Sequence, residues 1–549
     1  MFQRLNHRAG PYALLLLLAG PMFLVNLGGP SLWDIDEGNN AEAAREMLER
    51  DNWVVPTFNY QLRVDKPALL YWLQIAAYQW FGVNEFSARL PSALAALVTV
   101  LLTYELGRLM FGRSTGLLAG VVLASAVQFC AAAHFANPDP LFNAFTVLAL
   151  LVFWIGFALG WRGWFVGAGA ASGLAVLAKG PAGLLLPFAV VVLFLLWSRR
   201  LGLLADRRLV LGVLAFFLVA APWYACVGAE TKAEFLEEFI LTHNIGRYLS
   251  PMQNHRGPVF YYLVVLMVGL APWSVFLPLA GGDIFKTLRG QETSSADARS
   301  AVRFLGCWIA AYLVFFSLSR TKLPGYILPV FAPAAILIAR ALDRWRQGAI
   351  NPPAWVMKLS LVGLGLIGVG VAVGLLLAGG AFAVPFLRGR RLPGLEAWAA
   401  VGVVPMLGAA AAGWLLRRGH RAAVVASCAA AAVLFVGAAG IHGGITLDAH
   451  KAPKPLAQVI LDHQPEPEVR IAVFQYFQPS LVFYCQREVK RLENDREALD
   501  FLRSPLPAYL VLPAATWDRL AQRAGDAGRL LARRRDFYRN CDVVVVTNR

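Results

Sequence analysis

Residues 33–37 read WDIDE, and the carboxylates Asp34, Asp36 and Glu37 follow directly on an apolar run long enough to cross a membrane. Carboxylates at such a place can cap a helix, hold a cation or face a substrate. Four more stretches carry comparable groups. RVDKPALLYW supplies Arg63, Asp65 and Lys66, and HFANPDPLFNAF supplies His134, Asn137 and Asp139 at a helix mouth. HNIGRYLSPMQNHRGPVFYY supplies His243, Arg247, His255 and Arg256, and SRTKLPGYILPVFAPA supplies Arg320, Lys322 and Tyr326. Carboxylates and cations at the ends of several separate membrane helices, all on one side, fit a substrate cavity better than scattered solvation. For Asp34, Asp36 and Glu37 the competing reading is capping of the helical stretch GNNAEAAREMLERDN, because negative charge suits a helix N-terminus and Asn39 with Glu42 has capping-box spacing. His243 and His255 with Asp65 are weak candidates for a divalent metal ion; they lack regular ligand spacing, and an interfacial hydrogen bond explains the histidines as well. No other cofactor is implied.

The elements that hold these groups follow from composition. The chain has 549 residues, of which 58% are hydrophobic and 15% charged, which is too apolar for an ordinary soluble protein. The net charge of +16 raises nucleic acid as a partner, but the basic residues sit in short clusters between apolar runs, as in SRR, DRR, RWRQ and RRGHR. That is the positive-inside pattern of a polytopic membrane protein, and it argues against nucleic acid. Apolar runs fall at roughly 11–29, 90–107, 115–133, 140–159, 164–179, 183–198, 209–226, 258–279, 302–318, 326–341, 357–380, 396–416 and 422–442. These are about thirteen spans, an odd number, so the termini lie on opposite sides of the bilayer. Arg4, Arg8, Arg108, Arg113, Arg162, Arg199, Arg200, Arg340, Arg344, Arg417 and Arg418 all fall on the side that this count makes cytoplasmic. The basic N-terminus with its apolar core lacks a convincing cleavage site and reads as a retained signal anchor.

Polar, irregular sequence is concentrated on the other side, where chemistry is to be sought. The long first loop, residues 30–89, contains two segments expected to lie on the surface as interfacial helices. One covers roughly 38–50, with Ala41, Ala44, Met47 and Leu48 on an apolar stripe; the other is KPALLYWLQIAAYQWFG, which could equally be a buried re-entrant segment. From 445 to 549 the character changes. VRIAVF, LVFYC, AYLVLP and DVVVVTNR are strand-like between charged helical segments, which predicts a soluble α/β domain after a membrane module over 1–444. This domain has no nucleotide fingerprint, so a structural or substrate-docking role is expected. Cys130, Cys226, Cys307 and Cys428 lie in or beside apolar runs as packing residues, whereas Cys485 and Cys541 would be free to form a disulfide in an oxidising compartment.

DIDE followed by DKPALLYW, then PDPLF, AKGPAGLLLP and SRTKLPGYILP, together resemble the bacterial membrane glycosyltransferases related to the protein O-mannosyltransferases, and within them the lipid A 4-amino-4-deoxy-L-arabinose transferases. The likeness covers about residues 1–345; beyond that only the architecture agrees. It implies the C-type glycosyltransferase fold, a multi-pass inner-membrane protein of about thirteen helices with its active site on the periplasmic face, and a periplasmic α/β domain. It implies a pentosyltransferase, inverting and monomeric, that takes an aminosugar from an undecaprenyl-phosphate carrier and passes it to lipid A. It also maps the acidic motif of the first loop onto Asp36, the second carboxylate onto Asp139 and the lipid-phosphate lysine onto Lys66. Breaking a sugar–phosphate bond builds positive charge on the sugar and leaves a phosphate dianion, so fixed cations must meet the leaving group. Lys66, Arg247, Arg256 and Arg320 are the candidates, with Tyr326 as a hydroxyl donor and Asp65 beside Lys66; headgroup anchoring is the other reading of the arginines. Two alternatives stay open: an enzyme that glycosylates protein hydroxyls, and a transporter, the poorer fit because the ionisable residues sit at helix ends and no inverted repeat is evident.

Overall fold

The computed structural model describes residues 9–161, 163–251, 255–291, 296–382, 391–464 and 469–549; Arg4, Arg8 and Arg162 lie outside the described residues. Among the described residues eight helices are long and apolar enough to cross a membrane: Glu85–Phe111, Asp139–Leu159, Leu209–Glu230, Ala296–Leu318, Pro324–Arg346, Ala354–Gly379, Leu395–Arg417 and Arg421–Asp448. Two bent pairs, Arg113–Ala124 with Val127–Ala133 and Tyr261–Gly269 with Trp273–Leu288, raise the number to as many as ten. Ala9–Leu24, Trp164–Lys179 and Ala182–Trp197 are shorter apolar helices. The chain is therefore a multi-pass membrane protein, mostly helical.

Burial sorts these helices. Pro324–Arg346 is almost wholly enclosed and forms the centre of the bundle, packed against Arg113–Ala124 and Trp273–Leu288. Leu209–Glu230 and Ala354–Gly379 expose Leu214, Leu218, Val362 and Leu366, side chains that water would reject and lipid accepts. Gly180 breaks the apolar run between Trp164–Lys179 and Ala182–Trp197; its φ of +92° is a conformation that a side-chain-bearing residue rarely adopts, so the AKGPAG sequence reverses the chain there.

The first loop departs from expectation. Its helix begins at Asp36 and runs to Glu49, so Asn39 and Glu42 do not form a capping box; Glu42 instead pairs with Arg45 at 2.7 Å. The helix does not lie on a surface either. Ala41, Ala43, Ala44 and Met47 are fully buried together with Tyr71, Ile75 and Phe483. A Cβ on Gly38 would overlap the backbone of Ser480, so glycine allows the helix to pack against Pro479–Cys485. A hairpin of β1 (Thr57–Phe58) and β2 (Gln61–Leu62) is tied to this helix, Glu46 accepting from Thr57 Oγ1 at 2.7 Å. The second helix, Leu69–Phe81, buries Tyr71, Gln74 and Ile75 but exposes Trp80 and Phe81, an amphipathic split that suits an interface.

At the C-terminus five strands, β3 (Arg470–Phe474), β4 (Val489–Leu492), β5 (Ala508–Pro513), β6 (Arg529–Asp536) and β7 (Cys541–Thr547), form a sheet in the order β4-β3-β5-β7-β6. β3 pairs parallel with β4 and β5, whereas β7 pairs antiparallel with β5 and β6. Alternate residues feed two cores. Ile471, Val473, Val511 and Val545 meet Pro453–His463 and Pro479–Cys485 on one face, and Ala472, Phe474, Leu510 and Val546 meet Asp495–Leu502 and Ala514–Ala524 on the other. Cys485 and Cys541 belong to the first of these cores, yet both are free thiols and not a disulfide.

Candidate functional site

The three carboxylates of WDIDE separate. Asp34 accepts from the Ser480 backbone N–H at 2.7 Å and from the Ser480 hydroxyl, fastening the C-terminal region to the first loop. Burial pushes its pKa up to about 7, although both Ser480 bonds work against the shift. Glu37 is fully buried, paired with Arg89 at 2.7 Å and accepting from the Ala136 N–H at 2.6 Å, so it pins the first loop to the segment before Asp139. Asp36 is exposed at the first position of its helix and has no hydrogen-bonded or ion-paired partner among the described residues. Of the three, only Asp36 is available for chemistry.

Lys66 is positioned through Arg63. That guanidinium is buried and reaches Tyr71 Oη at 3.0 Å, Asn40 Oδ1 at 3.2 Å and Asp65 Oδ2 at 3.1 Å. It thereby bolts the DKP segment to the helix carrying Asp36. Asp65 also lies 3.1 Å from His243 Nδ1. Burial disfavours the Asp65 carboxylate, but Arg63, His243, Lys66 and Arg247 outweigh it and hold its pKa below the ordinary value. Burial pushes Lys66 down to about 8; Arg247 and Lys179 act in the same direction, and Asp36 and Asp139 oppose them. Lys66 therefore lies within electrostatic reach of all four charges.

Asp139 opens the helix Asp139–Leu159, where the positive end of the macrodipole favours a carboxylate and Asn137 Oδ1 accepts its backbone N–H at 2.9 Å. It forms an ion pair with Lys179, the last residue of Trp164–Lys179. A Cβ on Gly325 would overlap Asp139 Oδ2, so glycine lets that carboxylate lie against the Pro324–Val330 turn and a larger residue would have to displace it. From the same turn Tyr326 packs its ring 4.9 Å from Lys179 Nζ. Arg247 and Tyr326 interact directly.

Most of these groups border a cavity of about 460 Å³. Asp65, Lys66, Lys179, His243, Arg247 and Tyr326 are its polar lining, and Phe142, Leu185, Phe239, Ile240 and Phe316 are apolar lining, Phe142 beside Lys179 and Phe316 beside Tyr326. Such an arrangement suits an anionic headgroup carried on a hydrocarbon chain. Arg256, His255 and Arg320 are exposed and are not among the cavity-lining residues; their backbone neighbourhood is structural, with the His255 carbonyl accepting from Lys322 N–H and the Arg320 N–H donating to Tyr248 O. Lys322 itself donates to the Phe316 and Ser317 carbonyls and closes a helix end. His134 lies against the Cys130 carbonyl at 2.9 Å. Among the described residues no three His, Cys, Asp or Glu side chains gather as metal ligands: Asp65 and His243 form a pair that His255 does not join. Lys179 was not anticipated as a site residue. The available signal was a lone lysine closing an apolar helix in AKGPAG, beside a turn that glycine has to make.

A family described as dolichyl-phosphate-mannose-protein mannosyltransferase matches residues 65–225. An undecaprenyl phosphate-alpha-4-amino-4-deoxy-L-arabinose arabinosyl transferase of Erwinia tasmaniensis is 34% identical over 338 residues, 60% of this chain and 59% of the relative. One of Pseudomonas aeruginosa is 34% identical over 373 residues, 67% of this chain and 64% of the relative. The matched region thus spans about three fifths of the length of these curated relatives. The crystal structure of ArnT from Cupriavidus metallidurans bound to undecaprenyl phosphate superposes with a TM-score of 0.82 at 28% identity, covering 99% of both chains.

Proposed function

We propose that the chain, similar to these aminoarabinose arabinosyl transferases, transfers 4-amino-4-deoxy-L-arabinose from an undecaprenyl-phosphate carrier to a phosphate of lipid A. The observation that carries this reading is the cavity lined both by Lys66, Lys179, Arg247 and Tyr326 and by apolar side chains, with Asp36 and Asp139 within electrostatic reach of Lys66. A prenyl chain would lie along Phe239, Ile240 and Phe316 while its phosphate meets the cations.

In the reaction the bond from the sugar C1 to the carrier phosphate oxygen breaks, and its electron pair leaves with the phosphate. Lys66 and Arg247 stabilise that growing dianion, and Tyr326 donates a hydrogen bond. A lipid A phosphate oxygen forms the new bond to C1 from the opposite face, which inverts the configuration. A phosphate monoester with a second pKa of about 6 is already an oxyanion near neutral pH, so no general base is needed to activate it. Asp36, unpaired and exposed, is then free to stabilise positive charge on the sugar and to hold its 4-amino group as an ammonium. Asp139 balances Lys179 and keeps that cation directed at the phosphate.

The finer topology belongs to the same proposal. Thirteen apolar segments, with Arg108, Arg113, Arg199, Arg200, Arg417 and Arg418 on the cytoplasmic side, would put the cavity and the domain over 445–549 in the periplasm of an inner-membrane protein, with residues 1–444 as the membrane module and a monomer as the working unit. Adding an aminosugar would offset lipid A charge and weaken attraction to polymyxin and other cationic peptides. The test is reconstitution with the lipid-linked aminosugar and two acceptors, followed by mass spectrometry. Modification of lipid A bearing its phosphates, and not of dephosphorylated lipid A, supports the reading. Equal transfer to both, or efficient transfer to a serine- or threonine-containing peptide, would instead favour the protein-glycosylating activity of the family matched over 65–225.

A further inference from the structure

Three helices that border the candidate site also border a second cavity at their other ends. Phe142, Leu185 and Phe316 belong to the first, whereas Trp154 and Phe157 late in Asp139–Leu159, Ser198 just beyond Ala182–Trp197, and Arg303 early in Ala296–Leu318 line the second. On Asp139–Leu159 the lining residues Phe142 and Trp154 or Phe157 are 12 to 15 positions apart, so the two cavities lie about 20 Å apart along the helices. The second cavity has a volume of about 670 Å³. It opens on the face where the basic loops cluster.

Its wall is cationic and incompletely satisfied. Arg108, Arg113, Arg200 and Arg303 line it against one acidic residue, Asp297; Arg108 also pairs with Glu105. Arg108 near a helix C-terminus complements the macrodipole there and needs no ligand. Arg303 is different, because it lies in the interior of Ala296–Leu318, away from the last turn where the dipole would favour a cation. Among the described residues the buried Arg303 Nε and the buried Ser198 Oγ have no hydrogen-bond partner, and both residues line this cavity. A buried donor without a partner is costly, so its presence in a polar wall points to a group that arrives from outside. The floor is aromatic: Arg200 stacks 5.3 Å over Phe157, and Trp154 packs 5.3 Å from Phe304.

We propose that this cavity binds a phosphate group on the face opposite the transfer site, with Arg200, Arg303 and Ser198 as its direct donors and Trp154 and Phe157 contacting whatever apolar portion accompanies it. An anionic lipid headgroup and a soluble phosphate present the same chemistry. The volume and the aromatic floor accommodate more than a phosphate alone. The inference does not depend on the identity of the transferred sugar.

The test uses the full chain in nanodiscs of phosphatidylcholine containing phosphatidylglycerol, with retained phosphatidylglycerol counted by native mass spectrometry. Calorimetry with inorganic phosphate in neutral detergent forms the second arm. Wild-type protein should retain phosphatidylglycerol or bind phosphate, and the Arg200→Gln/Arg303→Gln double variant should bind about tenfold more weakly for each charge-assisted contact removed. Arg417→Gln, also basic but outside the cavity, should bind as wild type does. Retention of the lipid assigns the site to a headgroup, and binding of inorganic phosphate alone assigns it to a soluble ligand. Binding of neither by the wild type, or equal loss in Arg417→Gln, overturns the proposal. Should the double variant fail to fold, the exposed Arg200→Gln alone serves, and undiminished binding there is equally decisive.

Discussion

The depressed pKa of Lys66 makes its part in carrier binding measurable as a function of pH. Crowded by protein and by Arg247, the ammonium titrates at about 8 in the free enzyme. It is then about nine-tenths charged at pH 7 and one-tenth charged at pH 9. If the carrier phosphate binds only the ammonium form, its apparent affinity falls about tenfold across that interval, or about 1.4 kcal/mol. The sign follows from linkage: a bound dianion raises the Lys66 pKa, so the loss appears in affinity and is suppressed once the enzyme is saturated. The carrier phosphate, a monoester with a second pKa of about 6, has already lost its second proton in this range. The assay is binding of undecaprenyl phosphate to detergent-purified protein from pH 6.5 to 9.5, by wild type and by Lys66→Arg. Arginine keeps its charge throughout, so its profile should be flat even if its absolute affinity is lower. A flat wild-type profile, or the same decline in Lys66→Arg, would refute the assignment of Lys66 to the phosphate.

Asp36→Asn should lower turnover by about a hundredfold while leaving carrier affinity within about threefold, because the missing charge matters when the sugar becomes positive and not when the phosphate docks; single-turnover rates and binding isotherms read the two separately. Gly325→Ala places a Cβ where Asp139 Oδ2 lies, so turnover should fall about tenfold or more through displacement of the Asp139–Lys179 pair, with thermal stability showing whether the turn itself survives. Asp34 holds a proton in the folded protein that the unfolded chain releases above about pH 4, so its contribution to stability declines as pH rises towards 7; the melting temperature of Asp34→Asn relative to wild type should therefore increase between pH 4.5 and 7.5.

The membrane architecture was legible because hydrophobic runs of bilayer length need no partner to be recognised. Each apolar helix corresponds to a run readable in the sequence, including the short pair broken at Gly180. VRIAVF, AYLVLP and DVVVVTNR were legible as β3, β5 and β7 because alternate residues feed opposite faces of one sheet, whereas LVFYC, strand-like by composition, ends the helix Pro479–Cys485, and RLLARR, expected as helix, is strand β6. The first-loop helix was misread as interfacial. Its apolar stripe of Ala41, Ala44 and Met47 is real, but amphipathicity states only that one face is buried and not against what. The partner is Pro479–Cys485, more than four hundred residues away, and no local pattern encodes that pairing.

The same limit governs the site. Asp34, Asp36 and Glu37 are nearly interchangeable as local sequence, and their fates diverge because their surroundings come from different parts of the chain. Glu37 meets Arg89 from Glu85–Phe111, Asp34 meets Ser480 from the C-terminal region, and the Asp36 carboxylate makes no hydrogen bond or ion pair among the described residues. The two paired carboxylates are what make the third useful. By fixing the entry to the helix on one side against the bundle and on the other against the sheet region, they hold Asp36 at the helix start without engaging it. An isolated surface carboxylate would sweep a wide range of positions, whereas this one is presented on a helix whose next two turns are buried on nearly every side. The C-terminal region is thus coupled to the candidate site through Asp34, two residues from Asp36, which gives it a physical part in the chemistry without requiring it to touch the substrate.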